Sequence, residues 1–537
     1  MASADPQAAD RAVLLARLAE PRAWDLAVIG GGATGLGIAL DAAARGFAVV
    51  LVESHDFAEG TSSRATKLAH GGVRYLGQGN IGLVREALAE RAAMLANAPH
   101  LAQPLPFVMP AYQWWERGFY GVGLKAYDAL AGRQALGGTE WLSARRTLEL
   151  LPGARAQGLH GGVRYWDGQF DDARFALALA RTAAARGALC VNHVAAVGLV
   201  REAGRVRGLV WRDQDPSLGG RTEGTLRAHC VVNATGVWVD QVRDMDHDEG
   251  APARPPLVAP SQGVHLIVER DFLPGSHALL VPRTADGRVL FAVPWLGKVI
   301  LGTTDTPRPD VVREPVPYAA DVEFILSEAG RYLARAPRRE DVRSIWVGLR
   351  PLVRPQGDDG EPTRELSREH TVLVGRSGLV TVTGGKWTTY RAMAEDVLAR
   401  AMARGLLPPR RGGVTARLPL VGAAAGRPLA EPPGEHLYGS EADALRALPG
   451  AASWLWRDGS GARAGGLSEA MVRFAARHEM ARSVGDVLAR RSRLLFLDAA
   501  EAARAAPAVA RILEQELGRE VDVAPFEALA LQYRTLP

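Results

Sequence analysis

Residues 24–53 constrain the fold more than any other stretch of this 537-residue chain. Residues 26–29 form a short apolar run with β-branched members, which predicts a buried strand. Glycines then follow at the spacing G-x-G-x-x-G, before a helix predicted over 33–44. These glycines allow a tight turn, close approach of a pyrophosphate and close helix packing. Residues 49–52 predict a second strand, and Glu53 at its end can accept hydrogen bonds from ribose hydroxyls.

This order of strand, glycines, helix, strand and acid within about 30 residues predicts a dinucleotide site. The N-terminal N–H groups of the helix and its dipole would face the phosphates. The predicted contacts are Gly30, Gly32, Ala33, Thr34, Gly35 and Glu53.

Length and composition limit the other possibilities. A chain of 537 residues exceeds one ordinary core, so two or three domains are expected. With 64 basic and 59 acidic residues the net charge is +5, which argues against a dedicated nucleic-acid binder. Cys190 and Cys230 lack metal-site spacing, so no metal site is predicted. No bilayer-spanning apolar run or signal peptide is visible, so we expect a cytoplasmic protein with at most peripheral membrane contact.

Residues 61–76, with the sequence TSSRATKLAHGGVRYL, form a second informative segment. The segment combines hydroxyl groups, cations, glycines and one histidine, which suits phosphate and flavin contacts better than core packing. From it we predict cofactor contacts by Thr61, Ser62, Ser63, Thr66 and Lys67.

Residues 112–142 hold three tryptophans and several glycines, including Trp114-Trp115 and Phe119-Tyr120. Such residues could form an interfacial surface on a membrane, where aromatic rings are stable. They could equally form the core of an aromatic subdomain. The sequence leaves both alternatives open.

The chain divides into three predicted parts. Residues 1–22 form an N-terminal arm with a short helix, and residues 23–405 form the nucleotide-binding domain with an interleaved substrate domain. Beyond the Pro- and Gly-rich segment 407–413, the composition shifts to Ala, Leu and Arg with helical periodicity. Residues 406–537 are therefore predicted to be a helical C-terminal cap, with its clearest helices over 467–497, 499–518 and 524–534.

Six segments, taken in order, resemble the FAD-dependent glycerol-3-phosphate dehydrogenases, the respiratory enzymes of aerobic bacteria and mitochondria. They are the glycine motif with Glu53 and residues 61–76, 233–240, 301–305, 348–352 and 384–391. The resemblance covers residues 11–535. It implies an α/β, glutathione-reductase-like FAD-binding fold with an interleaved antiparallel substrate domain and an α-helical C-terminal domain.

The same resemblance implies an activity and its partners. The expected reaction is oxidation of sn-glycerol 3-phosphate to dihydroxyacetone phosphate, with hydride transfer to flavin N5 and electrons passed to ubiquinone or another membrane quinone. The expected location is the cytoplasmic side of the inner (plasma) membrane, bound peripherally, with a homodimer left open. One departure is Gln262, which stands where some members carry a basic residue. Further implied cofactor contacts are Ala234, Thr235, Gly236, Asp305, Gly384, Gly385 and Lys386.

The chemistry needs a base, because the hydroxyl proton must leave as the hydride leaves. Histidine suits this role near neutral pH, and His70 and His265 are the candidates. We favour His70, because its loop begins soon after Glu53 and the glycines beside it leave space for substrate. For the alkoxide and phosphate we expect Arg350 and Lys386 first and Arg74 next, since such anions need cationic partners. Tyr75 and Thr388 complete the predicted substrate contacts.

Three other functions remain alternatives at this point. The first is a flavin enzyme of the same fold that acts on an amine or amino acid, which would need a carboxylate clamp. The second is a glycerol-3-phosphate oxidase that reduces oxygen. The third is a flavin-binding tRNA-modifying or structural protein, against which the lack of a basic stripe argues. An NAD-dependent enzyme is disfavoured by the hydroxyl-rich segment 61–67 and the turn at 233–240.

Overall fold

The computed structural model describes residues 9–72, 80–215, 222–247, 254–284, 287–354, 370–458 and 465–537. Its described helices are α1 Arg11–Ala19, α2 Ala33–Ala44, α3 Ile81–Asn97, α4 Glu116–Ala131, α5 Ala144–Leu150, α6 Asp172–Ala185, α7 Val239–Met245, α8 Ala319–Tyr332, α9 Tyr390–Ala403, α10 Ala442–Arg446, α11 Glu469–His478, α12 Leu494–Leu497, α13 Ala499–Leu517 and α14 Ala524–Arg534. Its described strands are β1 Ala23–Ile29, β2 Val49–Val52, β3 Leu68–Ala69, β4 Ala102–Ala111, β5 Glu140–Leu142, β6 Gly161–Phe170, β7 Leu189–Val191, β8 Val194–Glu202, β9 Arg205–Asp213, β10 Glu223–Asn233, β11 Val258–Glu269, β12 Ala278–Val281, β13 Leu290–Trp295, β14 Lys298–Gly302, β15 Thr306–Pro307, β16 Ser344–Val353, β17 His370–Val374, β18 Val380–Gly384, β19 Trp454–Asp458 and β20 Gly465–Ser468.

The first sheet carries the predicted nucleotide motif. Its strand order is β17-β18-β10-β1-β2-β7, and the strands from β18 to β7 pair in parallel. β8 and β9 extend it as an antiparallel meander on β10. Every residue of β2 is buried, as expected for a parallel sheet with helices on both faces. The predicted order of strand, helix 33–44 and strand 49–52 is confirmed, and it places the glycine turn at the carboxyl end of β1.

The second sheet belongs to the interleaved substrate domain. Its order is β15-β11-β14-β13-β12-β4-β6-β3, with β16 added on β11 and β5 on β6. These pairs are antiparallel except for β12 with β4. Helix α8 covers one face of this sheet through an apolar core that includes Val264, Leu266 and Ile325. The other face is left to approach the nucleotide-binding sheet.

The C-terminal part shares one continuous apolar core with the nucleotide sheet. It is mainly helical, as predicted, but it also contains the β19–β20 hairpin. The helix predicted over 467–497 is broken into α11, a π-helical turn Asp486–Arg491 and α12. The backbone turns at Met480 and Arg493, whose φ values are 55° and 64°, a left-handed conformation that cannot continue an α-helix.

Within the described ranges, none of the helices combines the length and apolarity that crossing a bilayer requires.

Candidate active site

A cavity of about 430 Å³ opens at the carboxyl ends of β1, β2, β10 and β18. Ligands of open α/β sheets bind at this edge, where the strand order reverses. Thirteen of the predicted cofactor residues line the cavity: Gly30, Gly32, Ala33, Thr34, Glu53, Thr61, Ser62, Ala234, Thr235, Gly236, Gly384, Gly385 and Lys386.

The glycines form a cradle that larger residues would fill. Gly30 has a φ of 109°, and a Cβ on it would lie 2.7 Å from the carbonyl oxygen of Ala234. A Cβ on Gly35 would lie 1.9 Å from the carbonyl oxygen of Gly30, so Gly35 packs the helix on the strand and does not line the cavity. Gly32 is the N-cap of α2, and Ser62 Oγ accepts a hydrogen bond from the next residue, Ala33 (2.9 Å). Gly32 and Thr34 also line the cavity, so the N-terminus of α2 faces it, which is the arrangement that binds pyrophosphate.

Glu53 closes the other end of the motif. One carboxylate oxygen accepts a hydrogen bond from the Gly31 N–H (2.6 Å) and the other from the His55 N–H (2.9 Å). Burial raises the pKa of Glu53, while these hydrogen bonds favour the charged form. The carboxylate lines the cavity and can accept ribose hydroxyls.

Four other predicted cofactor residues lie behind the cavity wall. Ser63, Thr66, Lys67 and Asp305 are absent from its lining. The Lys67 ammonium is fully buried and donates to Asp172 (2.7 Å) and to the Ser63 carbonyl (2.6 Å). These acceptors hold the ammonium group behind the residues that line the cavity. Direct cofactor contacts from these four residues stay predictions.

Several lining residues were missed by sequence reasoning. Ser54, Glu59 and Gly60 directly continue predicted motifs, so their position next to Glu53 and Thr61 was an available signal. Ala195 and Arg313 come from distant segments without a recognisable motif, and only the tertiary fold brings them to the cavity. The other missed residues are Ile29, Val52, His55, Ala58, Ala196, Val237, Trp238, Gln241, Val242, Met245, Pro351, Val382, Thr383, Trp387 and Met393.

Arg350 lies where the two domains meet. We define the cavity loop as residues 60–67. Thr61 Oγ1 in this loop donates to the carbonyl oxygen of Leu349 (2.6 Å), which ties β16 to the loop, and Pro351, the residue after Arg350, lines the cavity. The guanidinium donates to Asp305 (3.3 Å), Thr303 Oγ1 (3.2 Å) and the Thr304 carbonyl (2.9 Å). Asp305, Thr303 and Thr304 together therefore fix the orientation of Arg350.

His265 faces the same region from β11. It pairs across the sheet with Trp346 and stacks on its ring, with centroids 5.1 Å apart. Its Nε2 lies 2.9 Å from Thr66 Oγ1, and its buried Nδ1 has no hydrogen-bond partner within the described residues. Burial, together with the charges of Lys67 and Arg350, holds the pKa of His265 well below its ordinary value of 6.5, so the imidazole is neutral at pH 7.

His70 lies in a different environment, after the short strand β3. Its Nδ1 is 3.2 Å from Asp167 Oδ2, and its ring centroid is 5.4 Å from that of Phe291. Asp167 also accepts hydrogen bonds from Arg91 (3.0 Å) and the Gly71 N–H (3.1 Å). Burial opposes the charge on Asp167, but the hydrogen bonds and charges of His70 and Arg91 lower its pKa overall. Asp167 was not anticipated from the sequence.

Gln262 points away from this site. Side chains alternate along a strand, and Gln262 lies between Ser261 and Gly263, whose cross-strand partners are Arg350 and Gly348. Its amide donates to Asp321 on α8 (2.6 Å) and accepts from Arg308 (2.7 Å), on the opposite face of the sheet. The side chain at position 262 is therefore held against α8 rather than toward Arg350.

The other predicted substrate residues divide into two groups. Arg74 and Tyr75 lie outside the described residues. Thr388 is buried in the turn Trp387–Thr389 and does not line the cavity. Lys386 lines the cavity beside Trp387, whose indole N–H donates to the Ser62 carbonyl (2.9 Å).

The donor set fits a flavin dinucleotide. A glycine cradle and helix N-terminus match the pyrophosphate, an acid ends β2 where a ribose binds, and the far end of the cavity meets a sheet that carries a neutral histidine and an oriented arginine. Cavity, fold and site together define an FAD-dependent oxidoreductase.

Comparisons with known proteins give the particular family. Residues 25–391 match the family described as FAD dependent oxidoreductase, and residues 413–522 match the C-terminal domain of alpha-glycerophosphate oxidase. Mitochondrial glycerol-3-phosphate dehydrogenase SDP6 of Arabidopsis thaliana is 40% identical over 95% of this chain and 85% of its own length. The human mitochondrial glycerol-3-phosphate dehydrogenase is 41% identical over 92% of this chain and 70% of its own.

A solved structure agrees with these relatives. The X-ray structure of the glycerol-3-phosphate dehydrogenase from Bacillus halodurans complexed with FAD matches with a TM-score of 0.75 and 28% identity, over 99% of both chains. The chain belongs to the FAD-dependent glycerol-3-phosphate dehydrogenase family, which confirms the resemblance seen in its sequence.

Proposed function

We propose that the protein oxidises sn-glycerol 3-phosphate to dihydroxyacetone phosphate with FAD and passes the electrons to a membrane quinone. The observation that carries this proposal is the meeting of the FAD cavity with Arg350 and His265 through the loop that contains Thr61 and Thr66. The names of the relatives agree with this substrate and cofactor.

The residues suggest how the reaction proceeds. When bound, FAD supplies the acceptor for a hydride. Arg350, held by Asp305, offers a planar fork to a substrate oxygen or phosphate, and Lys386 adds a second cation at the cavity wall. The carbinol C–H bond breaks with its electron pair, the O–H proton moves to a neutral imidazole, and a C=O bond forms.

We assign the proton-accepting role to His265 rather than to His70, which the sequence favoured. His265 shares a face of the substrate sheet with Arg350 and contacts the cavity loop at Thr66. Its neutral state is the form that accepts a proton, and a bound phosphate dianion would raise its pKa toward the working range. His70 instead points its Nδ1 at Asp167 and remains the rival candidate.

Anaerobic spectroscopy tests the proposed function directly. The purified protein is expected to be yellow, and glycerol 3-phosphate should bleach its visible flavin band, whereas an amino acid should not. Gly32 lines the cavity where the backbone must approach the pyrophosphate closely, so Gly32→Val should purify with much less flavin. A quinone analogue should reoxidise the reduced flavin faster than oxygen does. A flavin that stays oxidised with glycerol 3-phosphate would refute the substrate, and faster reoxidation by oxygen would favour the oxidase alternative.

Helix α4 supports the proposal of peripheral attachment at the cytoplasmic face of the membrane. Its inner face is buried through Leu124 and Tyr127, whereas Trp114 and Phe119 are 81% and 68% exposed. The aromatic residues of this segment thus lie largely on the surface rather than in a subdomain core. We define the aromatic patch as Trp114, Trp115, Phe119, Val122 and Trp141.

An exposed apolar patch of this kind commonly marks an interaction site. The exposed cations Arg117, Lys125 and Arg133 lie in or just after α4 and suit anionic lipid headgroups. A homodimer remains a prediction, which light scattering of the purified protein would test.

Removing the patch should release the protein from membranes. We expect Trp114→Ser with Phe119→Ser to abolish most sedimentation with vesicles that contain anionic lipid, because both rings lose their place at the headgroup level. Trp454→Ser is the matched control, since Trp454 is 38% exposed but lies on the β19 hairpin outside the patch. Flavin content and rate with a soluble acceptor should stay unchanged in both proteins. Equal sedimentation of the patch variant and wild type would contradict the assignment.

A further inference from the structure

The segment 308–318 leaves the substrate domain and crosses to the cofactor cavity. It follows β15 and precedes α8, and within it Arg313 reaches the cavity wall. None of the motifs recognised in the sequence includes this residue. Its position brings a cation from the substrate domain to the nucleotide-binding side.

The segment is anchored on both sides of Arg313. Arg64 of the cavity loop donates to the Arg313 carbonyl (2.6 Å) and pairs with the Glu314 carboxylate. Tyr533 and Gln532 of α14 donate to the Glu314 side chain and carbonyl, each at 3.2 Å. These contacts hold the Arg313 backbone in place while its side chain remains 49% exposed.

The other charged residues on the cavity wall do not supply a cation at the position of the Arg313 guanidinium. Glu53 and Glu59 are the acids that line the cavity, and Arg313 is the single arginine among the lining residues of the described chain. His55 cannot supply a second cation there at neutral pH, because burial lowers its pKa to about 4. Lys386 lines the cavity at the turn after β18, where it belongs to the proposed substrate contacts.

Glu59, the acid on the cavity wall beside Arg313, is only loosely paired with it. Arg313 Nε lies 3.9 Å from Glu59 Oε1, beyond hydrogen-bond distance, and Glu59 also lies 3.5 Å from Arg490. An anion in the cavity can therefore recruit the guanidinium without breaking a close ion pair with Glu59. A planar guanidinium binds phosphate oxygens in a bidentate manner.

We propose that Arg313 binds the pyrophosphate of FAD, so that the substrate-domain segment 308–318 closes the cofactor site opposite the glycine motif. This inference rests on the proposed use of FAD. It adds a cation opposite the glycine motif, where α2 offers its N-terminal backbone and its dipole. The contact also links cofactor retention to α14, through the hydrogen bonds to Glu314.

Cofactor affinity tests the inference without reference to turnover. The holoenzyme is diluted in steps, and released FAD is followed by its fluorescence, with and without competing ADP. Arg313→Ala is expected to weaken the binding of FAD by roughly 10- to 100-fold, the range for losing a hydrogen bond to a charged group. The affinity for ADP, which carries the same pyrophosphate, should fall by a similar factor. Arg313→Lys should lie between the alanine variant and wild type, because it keeps the charge without the fork.

Arg331→Ala is the matched control, because Arg331 lies on α8, is 56% exposed and pairs with Glu328 away from the cavity. It removes the same charge and should leave both affinities unchanged. FAD binding to Arg313→Ala with wild-type affinity would overturn the inference while leaving the proposed function intact. A loss for FAD without a loss for ADP would overturn the pyrophosphate assignment. A wild-type protein that binds no FAD would instead refute the proposed function.

Discussion

His265→Asn should slow anaerobic flavin reduction by glycerol 3-phosphate by about 10²–10⁴-fold, the range observed when a general base is lost. Asparagine keeps a polar group near Thr66 and fits the space beside Trp346, so the fold and FAD content should persist. The measurement is stopped-flow absorbance of the flavin band at saturating substrate. Retention of the wild-type flavin spectrum in the variant separates a chemical defect from cofactor loss.

The pH dependence of the rate provides an independent test of the same assignment. A base must be neutral to accept the proton, so the rate is lost as pH falls through its pKa. Burial, Lys67 and Arg350 hold the pKa of His265 below 6.5 in the free enzyme. The acid limb of kcat/KM, which reports the free enzyme, should therefore lie below pH 6.5 and disappear in His265→Asn.

His70→Asn is the necessary companion variant. We expect a much smaller effect from it, because His70 interacts with Asp167 and Phe291 rather than with the cavity loop. If His70→Asn is slow and His265→Asn is fast, the role belongs to His70, as the sequence suggested. If both variants stay fast, neither histidine is the base, and Arg350 with solvent becomes the candidate.

The nucleotide motif was predictable because its information is local. The sequence predicts a strand, a helix and a strand over residues 26–29, 33–44 and 49–52, and these ranges fall within β1, α2 and β2. Buried parallel strands are short apolar runs, and the glycines mark the turn between them.

The substrate side was less predictable, because strand parity decides which residues face the site. Gln262 stands where some members of the family carry a basic residue, yet its side chain packs toward α8, and its neighbours face Arg350. A single sequence does not give the register that sets this parity. The choice between His70 and His265 depended on the same missing information.

Contacts between residues far apart in the chain could not be predicted from the sequence. Arg313 reaches the cavity from a segment more than two hundred residues beyond Glu53, and Arg493 of the C-terminal part donates to Ser63 in the cavity loop (2.9 Å). The turn at Arg493 breaks a helix that its composition favoured, because its buried ionic contacts hold a left-handed backbone. Tertiary interactions override local propensity at such positions.

A buried ionic cluster joins the cavity loop to the C-terminal part and gives the second large expected effect. Asp172, at the start of α6, accepts hydrogen bonds from Lys67 (2.7 Å) and Arg493 (2.9 Å), and all three side chains are fully buried. Both cations also donate to the carbonyl of Ser63. The loop that lines the FAD cavity is thus held by Asp172 and two cations, and Arg493 Nε also lies 3.4 Å from a second buried carboxylate, that of Asp171.

Asp172→Ala should destabilise the protein by about 3–5 kcal/mol, because it leaves buried cations without their main partner. The cost should be larger below pH 7 than above it. Burial already lowers the pKa of Lys67 to about 7, against the opposing charge of Asp172, and losing that charge lowers it further. Above pH 7 Lys67 is mostly neutral in both folded proteins, so its charge adds little to the difference in unfolding free energy. Below pH 7 Lys67 is charged and paired in the wild type, whereas the folded variant must either bury an unpaired ammonium or keep Lys67 deprotonated, and both destabilise it.

Urea unfolding at pH 6 and pH 8.5, followed by far-UV circular dichroism and flavin fluorescence, measures both effects. Asp172→Asn, which keeps the size and one acceptor oxygen, should be less destabilised than Asp172→Ala. Adding Lys67→Met to Asp172→Ala should restore part of the loss, because it removes one unpaired cation. The exposed pair Arg504–Glu501 provides the control, since Glu501→Ala should cost no more than about 1 kcal/mol at either pH. An unchanged urea midpoint in Asp172→Ala would show that the cluster contributes little to stability, and the loop would then be held by its other contacts, including those of Thr61 and Ser62.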